Sequence, residues 1–200
     1  MSDFYLIKNK DTGYGDWGGI LWDGFAPEDE DTGLRYIERV GPFVPKMYVV
    51  AGIIVIKNEI APLITKSDLR GITIGEEIER RKIVPLDWSK WGDDYEKQVE
   101  RFYEPEDIIN KGIHSAEIAA EIGPLRELKV QPSLKTISTD EKNPQHEYGL
   151  MRVCLSSWNG SDITRGENYG GFFVTDTAKK WIEENCGDIF DYYFIESVVE

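Results

Sequence analysis

The chain has 200 residues, of which 40% are hydrophobic and 12% aromatic, a composition typical of a folded globular protein and not of a disordered one. Its 37 acidic and 23 basic residues give a formal net charge of −14. This charge argues against nucleic-acid binding, because affinity for phosphate depends on lysine and arginine. An acidic surface either attracts basic protein partners or serves solubility, and charge alone leaves both interpretations open.

The sequence contains no recognisable targeting or membrane signal. The N-terminal segment MSDFYLIKNK lacks a basic region that leads into an apolar one, so no secretory signal is predicted. The longest apolar run, Met47–Ile56, covers about half of a membrane crossing. Cys154 and Cys186 are too few for a disulfide scaffold. We therefore expect a cytoplasmic protein with no membrane segment.

A glycine motif follows the first predicted strand, Phe4–Ile7. Gly13, Gly15 and Gly18 have the spacing G-x-G-x-x-G, which binds dinucleotides when a strand leads directly into the glycines and a helix begins there. Here a polar turn separates the strand from the glycines, no helical apolar stripe follows, and Asp16 would place a carboxylate against the phosphates. We interpret this stretch as a glycine-rich loop that joins two strands, with no cofactor bound.

A weak internal repeat organises the rest of the chain. Gly52–Ile64 and Gly170–Ile182 each contain glycine, a short apolar strand, an Asn or Thr that could cap a helix, and an amphipathic helix. Predicted strands follow at Lys82–Leu86 and Phe190–Val199. A fainter third copy lies at Ile113–Pro132, where Ser115 is the predicted helix cap.

Three further segments complete the prediction. Asp93–Phe102 is predicted as an amphipathic helix, Leu150–Trp158 as a strand, and Ser138–Glu147 as a polar loop. Short strands interspersed with short helices predict an α+β (mixed α/β) fold with one twisted sheet, built from two related strand–helix–strand halves. We expect a single domain over residues 1–200. A possible subdivision separates a Gly- and Trp-rich half, 1–103, from a second half, 104–200.

Catalytic and metal motifs are not evident in the sequence. His114 and His146 lack a local nucleophile signature, and no cysteine or histidine pair has zinc-ligand spacing. In the acidic run after Phe25, a calcium loop with Gly33 at its sixth position would place Arg39 where the bidentate glutamate belongs. We expect no catalytic residues, no metal and no cofactor.

Paired carboxylates in an aromatic cleft remain an alternative basis for function. Tryptophan platforms at Trp17 and Trp22, or at Trp88 and Trp91, could bind a small ligand beside two acids, as in glycoside hydrolysis. The competing interpretation buries these tryptophans in the core. A third class, a self-assembling scaffold, would expose a large apolar patch with two-fold symmetry.

One segment has the composition of a protein interface. Leu21–Asp31 (LWDGFAPEDED) places five acids in the nine residues from Asp23 to Asp31, beside aromatic residues. Aromatic side chains dominate interface hot spots, and charge accelerates association with a basic partner. A solvated loop with its aromatics in the core is the alternative. The candidate binding residues are Trp17, Trp22, Asp23, Phe25, Glu28, Asp29, Glu30 and Asp31.

The C-terminal segment Ser157–Val198 resembles the closing motif of bacterial immunity proteins. It is similar to the double-CxxCG family, the SitI-type antitoxins of contact-delivered swarming-inhibition toxins, and its strand–cap–helix–strand unit to a second immunity family. The positions that carry the resemblance are Gly160, Asp162, Ile163, Arg165, Gly171, Thr175, Asp176, Trp181, Phe194 and Val198. Both CxxCG pairs are absent, so the metal-holding cysteines of that family have no counterpart here.

The resemblance implies a role in toxin immunity. On this basis we expect the chain to bind a cognate protein toxin with a basic surface and to block it by stoichiometric occlusion. The alternative expectation is a small-ligand-binding protein or a hydrolase with a carboxylate pair in an aromatic cleft.

Overall fold

A computed structural model describes residues 3–139 and 150–199 of the chain. Twelve strands and six helices lie within these residues, which confirms the α+β class. The strands are β1 Phe4–Asn9, β2 Tyr36–Gly41, β3 Met47–Val50, β4 Ile53–Lys57, β5 Ile72–Pro85, β6 Leu125–Val130, β7 Pro132–Leu134, β8 Thr136–Thr139, β9 Leu150–Cys154, β10 Ile163–Gly166, β11 Phe172–Thr175 and β12 Phe190–Val198. The helices are α1 Asp16–Asp23, α2 Ala61–Thr65, α3 Tyr95–Val99, α4 Asp107–Asn110, α5 Ala116–Ile122 and α6 Asp176–Cys186.

The strands form two sheets, which corrects the expectation of a single sheet. One sheet has seven strands and the other has five. The chain divides into two compact units, each made of segments that are distant in sequence: Met1–Lys10, Ile60–Ile74 and Leu128–Glu200 form the first, and Asp11–Glu59 and Gly75–Glu127 the second. Local hydrophobic patterns identify strands but not their partners, so they could not reveal that the strands pair in two separate sets. The single domain over 1–200, with its possible subdivision after residue 103, stays a prediction.

The seven-stranded sheet has the order β7-β10-β11-β1-β12-β9-β8. Its two edge strands, β7 and β8, are neighbours in sequence, with Lys135 alone between them. The sheet therefore has to curl until its edges approach each other. Asn168 binds at this junction: its Oδ1 accepts hydrogen bonds from the Thr136 N–H at 2.8 Å and the Thr136 hydroxyl at 2.7 Å, and its Nδ2 donates to the Thr136 carbonyl at 2.6 Å.

One face of this sheet carries its apolar core. In β1, Phe4 and Leu6 point to this face, as the alternation of a strand requires. They join a buried cluster that contains Leu134, Met151, Val153, Phe173 and Ile195. Helix α6 packs against β11 and β1, and its side chain Lys179 lies above the rings of Tyr5 and Tyr192.

The five-stranded sheet has the order β2-β5-β6-β4-β3. Here too the edge strands, β2 and β3, are consecutive in sequence, joined by residues 42–46. Helix α1 packs against both edge strands. Strands β3 and β4 form a tight hairpin in which Val50 pairs with Ile53. Its two turn residues, Ala51 and Gly52, have positive φ angles of 46° and 76°, as a type I′ turn requires.

Both copies of the predicted repeat form a strand, a helix and a strand in succession, β4–α2–β5 and β11–α6–β12. The second strand of the first copy is longer than predicted: β5 begins at Ile72, and only its last four residues fall within the predicted strand Lys82–Leu86. In each sheet one further strand separates the two strands of the repeat: β6 in the five-stranded sheet and β1 in the seven-stranded sheet. Thr175 caps α6 as predicted, since its side chain accepts a hydrogen bond from the Ala178 N–H at 3.3 Å. Ser115 likewise caps α5. Asn58 does not cap α2; its Oδ1 accepts from Arg126 Nε at 2.8 Å instead.

The glycine-rich stretch contains a helix, which corrects the prediction of a loop between two strands. Helix α1 begins at Asp16 and buries Leu21 and Trp22. Two glycines and a short apolar stripe weaken the local signal, and packing against β2 and β3 supplies the stability that propensity lacks. The helix does not make the stretch a dinucleotide site, because β1 has antiparallel neighbours on both sides. The dinucleotide-binding fold requires a parallel sheet.

The remaining predicted elements are shorter than expected. Within Asp93–Phe102 only the five residues of α3 are α-helical. Within Leu150–Trp158, β9 ends at Cys154 and a 3-10 turn follows. The predicted polar loop Ser138–Glu147 begins inside β8, and its residues 140–147 lie outside the described residues. In the described part of the chain, no helix combines the length and the apolar character needed to span a membrane.

Candidate functional site

The acidic segment runs along the free edge of β2 as an irregular strand. Gly24 ends α1 and donates its N–H to the Ile20 carbonyl at 3.0 Å. Phe25 then pairs with Glu38: the Phe25 N–H donates to the Glu38 carbonyl at 2.7 Å, and the Glu38 N–H donates back at 3.1 Å. The Tyr36 N–H donates to the Pro27 carbonyl at 3.1 Å. Backbone pairing therefore fixes the position of a segment that lacks an apolar pattern.

Asp29 builds the turn at the tip of this hairpin. Its Oδ1 accepts hydrogen bonds from the N–H and the hydroxyl of Thr32, both at 3.0 Å, and its carbonyl accepts from the Gly33 N–H at 2.8 Å. Gly33 has a φ of 67°, which glycine adopts without strain. The turn leaves the side chains of Glu30, Asp31 and Leu34 in solvent, and Leu34 is 70% exposed.

Asp29 also pairs with Arg81. The two side chains approach to 2.9 Å, while Arg81 contacts Glu79 at 2.7 Å and stacks 3.6 Å above the Tyr36 ring. Hydrogen bonds from the Thr32 N–H and hydroxyl, followed by the bond from Arg81, lower the pKa of Asp29 below its ordinary value. The bond to Glu79, with a smaller contribution from Asp29, raises the pKa of Arg81. Asp29 therefore serves mainly to hold the turn.

A groove of about 630 Å³ lies between the segment that follows α1 and the β3–β4 turn. Its lining residues are Asp23, Gly24, Phe25, Ala26, Pro27, Glu28, Arg35, Glu38, Val50 and Ala51. Three of these are carboxylates and one is a base. That base, Arg35, pairs with Glu28 at 2.9 Å and donates to the Ala26 carbonyl at 2.8 Å. We call this site the acidic groove.

A buried arginine lies next to the backbone of the acidic groove. A Cβ atom on Gly24 would come within 2.5 Å of the Arg39 Cβ. Arg39 and Tyr48 are fully buried. Neither the two terminal nitrogens of Arg39 nor the Tyr48 hydroxyl has a hydrogen-bond partner among the residues described. Burial raises the pKa of Tyr48, so its hydroxyl stays neutral at physiological pH.

The aromatic candidates have different environments. Trp22 is only 8% exposed and packs against Trp88, with ring centroids 5.9 Å apart. Trp17 is half-buried beside Phe102. Phe25 is half-buried and lines the acidic groove. Of the aromatic candidates, only Phe25 lines this groove. The alternative platform residues, Trp88 and Trp91, are buried at 5% and 7% exposure.

The structure thus brings Asp23, Phe25 and Glu28 together in the groove and places Glu30 and Asp31 at the hairpin tip. Sequence reasoning missed the returning strand, which contributes Leu34, Arg35 and Glu38, and the turn residues Val50 and Ala51. The Asp-Thr-Gly sequence at residues 31–33 is a turn signal that could have predicted the returning strand. The contribution of the β3–β4 turn had no local signal.

The C-terminal motif has a structural role in the first unit. Asp162 Oδ2 accepts from the N–H and Nε of Arg70 at 2.9 and 3.2 Å, and Oδ1 accepts from the Thr175 hydroxyl at 3.0 Å. Its side chain is 4% exposed. Asp162 therefore joins the 66–71 segment, β10 and the cap of α6. In the same region a groove of about 400 Å³ is lined by Lys66–Leu69 and by five α6 residues, among them Asp176, Trp181 and Glu184.

The histidines and cysteines that could carry catalysis or bind a metal are not grouped together in the described part of the chain. His114 is exposed, and its Nδ1 accepts the Ile83 N–H at 3.0 Å; His146 lies outside the described residues. Cys154 and Cys186 are buried and form no disulfide bond with a described residue. Across residues 3–139 and 150–199, no three His, Cys, Asp or Glu side chains are grouped to hold a metal ion.

Comparison with known proteins gives no relative. No protein-family model, no curated protein and no solved structure matches this chain.

Proposed function

We propose that the chain is an immunity protein that neutralises a cognate bacterial toxin by stoichiometric binding and occlusion. The observation that carries the proposal is the acidic groove and its neighbouring hairpin tip, where carboxylates border apolar surface that remains accessible. Such a surface suits a basic protein partner, since the apolar area provides affinity and the charge directs association. The proposal includes a cytoplasmic location and no catalytic step.

Three features support this proposal. The net charge of −14 produces long-range attraction toward a basic toxin. Leu34, in the same hairpin tip as the exposed acids Glu30 and Asp31, is 70% exposed, as expected of an interface anchor. The C-terminal segment resembles immunity proteins, although its Asp162 has a structural role and its residues contribute nothing to the acidic groove.

The first experiment identifies the toxin. The tagged chain is expressed in its native host and captured at low salt, and proteins that accompany it at equal stoichiometry are identified. We expect one small basic protein whose own expression kills cells and whose toxicity co-expression of this chain relieves. Capture of the chain alone, or of proteins that are harmless when expressed, would contradict the proposal.

The second experiment tests the interface by charge reversal. The variant Glu28→Lys/Glu30→Lys/Asp31→Lys leaves Asp29 in place so that the turn stays intact. We expect association with the toxin to slow at least about tenfold and to depend less on salt. The matched control, Asp93→Lys/Glu96→Lys/Glu100→Lys, makes the same change in net charge at exposed acids elsewhere in the second unit. Equal effects of the two variants would show that net charge acts without a local interface.

One observation favours a second candidate, a small-ligand-binding protein or hydrolase. The groove beside α6 is lined by Trp181 and by the acids Asp68, Asp176 and Glu184, and Asp176 pairs with Lys180 at 2.7 Å. An aromatic residue beside two further acids is the combination that this function needs, although it lies away from the tryptophans that the sequence singled out. A panel of soluble oligosaccharides would test it by thermal unfolding, because a bound ligand stabilises the fold. This candidate requires one sugar to raise the midpoint in the parent and not in Trp181→Ala. No shift with any sugar would exclude carbohydrates as its ligands.

A further inference from the structure

The acidic groove has the electrostatics of a cation site. Of its three carboxylates, Glu28 is already paired with Arg35. The Glu38 carboxylate makes no ion pair with any residue in the described ranges. Asp23 is the last residue of α1, so the carbonyl end of the helix, which carries partial negative charge, also faces this region. A positive group that enters the groove is therefore attracted by the Glu38 carboxylate and by the helix terminus together.

The apolar part of the groove suits the stem of a long side chain. Phe25, Ala26 and Pro27 line one side, and Val50 and Ala51 the other. Arginine and lysine pack their methylene groups on such surface while the charged end reaches a carboxylate. A groove of about 630 Å³ lies within the range of sites that hold an organic ligand and is much larger than a single metal ion needs. The occupant is then a loop and not a single free ion.

The unit's own arginines indicate which cation fits. Arg35 already occupies the rim of the groove with one nitrogen on the Ala26 carbonyl and another on Glu28. Arg81 combines an aromatic face, Tyr36, with two carboxylates. Phe25 and Glu38 offer the same combination of ring and carboxylate inside the groove. A planar guanidinium uses both, by stacking and by a two-pronged hydrogen bond, whereas an ammonium group cannot.

We infer that the acidic groove binds an arginine side chain presented by a loop of the basic partner, with its stem on Pro27 and its guanidinium between the Phe25 ring and the Glu38 carboxylate. The identity of the partner as a toxin rests on the proposed function, whereas the chemistry of the ligand does not.

The test is an NMR titration of the ¹⁵N-labelled chain with two peptides. The probe is acetyl-Gly-Arg-Gly-amide, and its control replaces arginine by citrulline, which has nearly the same shape and no charge. We expect the arginine peptide to cause saturable shifts at the amides of Ala26, Glu38, Val50 and Ala51, and the citrulline peptide to cause none. Equal binding of the two peptides, or shifts confined to other residues, would overturn the inference.

Matched variants locate the interaction. Glu38→Gln should weaken binding of the arginine peptide at least about fivefold, while Glu30→Gln at the hairpin tip removes the same charge outside the groove and should change it less than twofold. An equal loss in both would overturn the inference in favour of diffuse attraction. If the Glu38→Gln chain fails to fold, titration of the unmodified chain at rising salt still tests the inference. Specific binding requires the shifts to remain at the amides of the groove as salt is raised, and shifts that spread elsewhere would overturn it. A titration in which the arginine peptide causes no shifts would overturn this inference and leave the proposal of toxin neutralisation standing. Failure to find a toxin would have the opposite effect, so the two failures are distinguishable.

Discussion

The guanidinium carbon of Arg39 lies 4.6 Å from the centre of the Tyr48 ring, and both side chains are fully buried. The two residues come from β2 and β3, the opposite edges of the five-stranded sheet. Their contact therefore spans the region where the curled sheet brings its edges together. An attraction between cation and ring is worth about 2 kcal/mol or more when desolvated, but it is opposed by the cost of burying nitrogens without hydrogen bonds.

Arg39→Met should test this balance. Methionine fills similar space and has no polar nitrogen to desolvate, so we expect the free energy of unfolding to stay unchanged or to rise by up to about 2 kcal/mol. Arg39→Ala, which leaves a cavity, should instead lower it by about 2–4 kcal/mol. Urea denaturation measures both. If Arg39→Met lowered the free energy of unfolding by more than about 2 kcal/mol, the guanidinium would have a stabilising partner in solution.

Two glycines, one within α1 and one directly after it, should respond to alanine in opposite directions. Gly24 has a φ of 65°, and a Cβ there would lie 2.6 Å from the Glu38 carbonyl; we expect Gly24→Ala to cost about 2–4 kcal/mol through strain and overlap. Gly19 lies within α1, where an added methyl group would meet no atom within 4 Å. Gly19→Ala should therefore stabilise the fold by about 0.5–1 kcal/mol. Thermal unfolding of both variants checks the pair, and destabilisation by Gly19→Ala would contradict the helix at this position.

Asp162→Asn should destabilise the first unit by about 1–3 kcal/mol. The substitution removes the charge that accepts hydrogen bonds from Arg70 and Thr175, and hydrogen bonds to charged groups are stronger than neutral ones. The control is Asp188→Asn, whose carboxylate is 78% exposed and pairs with Lys10; exposed pairs contribute less than about 1 kcal/mol. Chemical denaturation should show a larger loss of unfolding free energy for Asp162→Asn than for Asp188→Asn. Equal losses would show that Asp162 does not anchor these segments.

Asn168→Ala should loosen the junction between β7 and β8. Its side chain makes three hydrogen bonds to Thr136, so their loss should cost about 2–3 kcal/mol. Hydrogen exchange should accelerate at the Thr136 amide before the rest of the sheet opens. Asn185→Ala provides the comparison, because that amide donates to the Trp181 carbonyl one turn earlier in its own helix. Unchanged exchange at Thr136 would show that the edges stay together without Asn168.

The tip of the hairpin should keep its structure in mild acid. The pKa of Asp29 is lowered from 3.8 in the fold, so the charged form is the one that the turn stabilises. Its contribution is complete above pH 3.8 and is lost as the pH falls through the lowered value. Carbon-13 NMR of the Asp29 carboxyl measures this titration. Thr32→Val removes a hydroxyl donor and should raise the pKa of Asp29; a titration in the variant identical to the parent would exclude that hydrogen bond.

The sequence predicted those features that depend on neighbours in the chain. The caps at Ser115 and Thr175 were predictable because a side chain there binds an N–H three residues later. Strand β1 and the hydrophobic strands of the repeat were predictable from β-propensity and glycine boundaries. The helix at Asp16–Asp23 was not, since its two glycines weaken local propensity and its buried face is completed by β2 and β3.

For the candidate site, the sequence by itself determined the concentration of acids beside aromatic residues at Asp23–Asp31, because composition is a local property. Only the tertiary structure decided which of those residues share a surface. Backbone pairing of Phe25 with Glu38 and the curl of the five-stranded sheet bring three separate segments to one groove. The same holds for Arg70 and Asp162, which lie 92 residues apart in sequence and meet through a charged hydrogen bond. Strand partners and sheet curvature depend on the packing of the whole chain, and no short stretch of sequence encodes them.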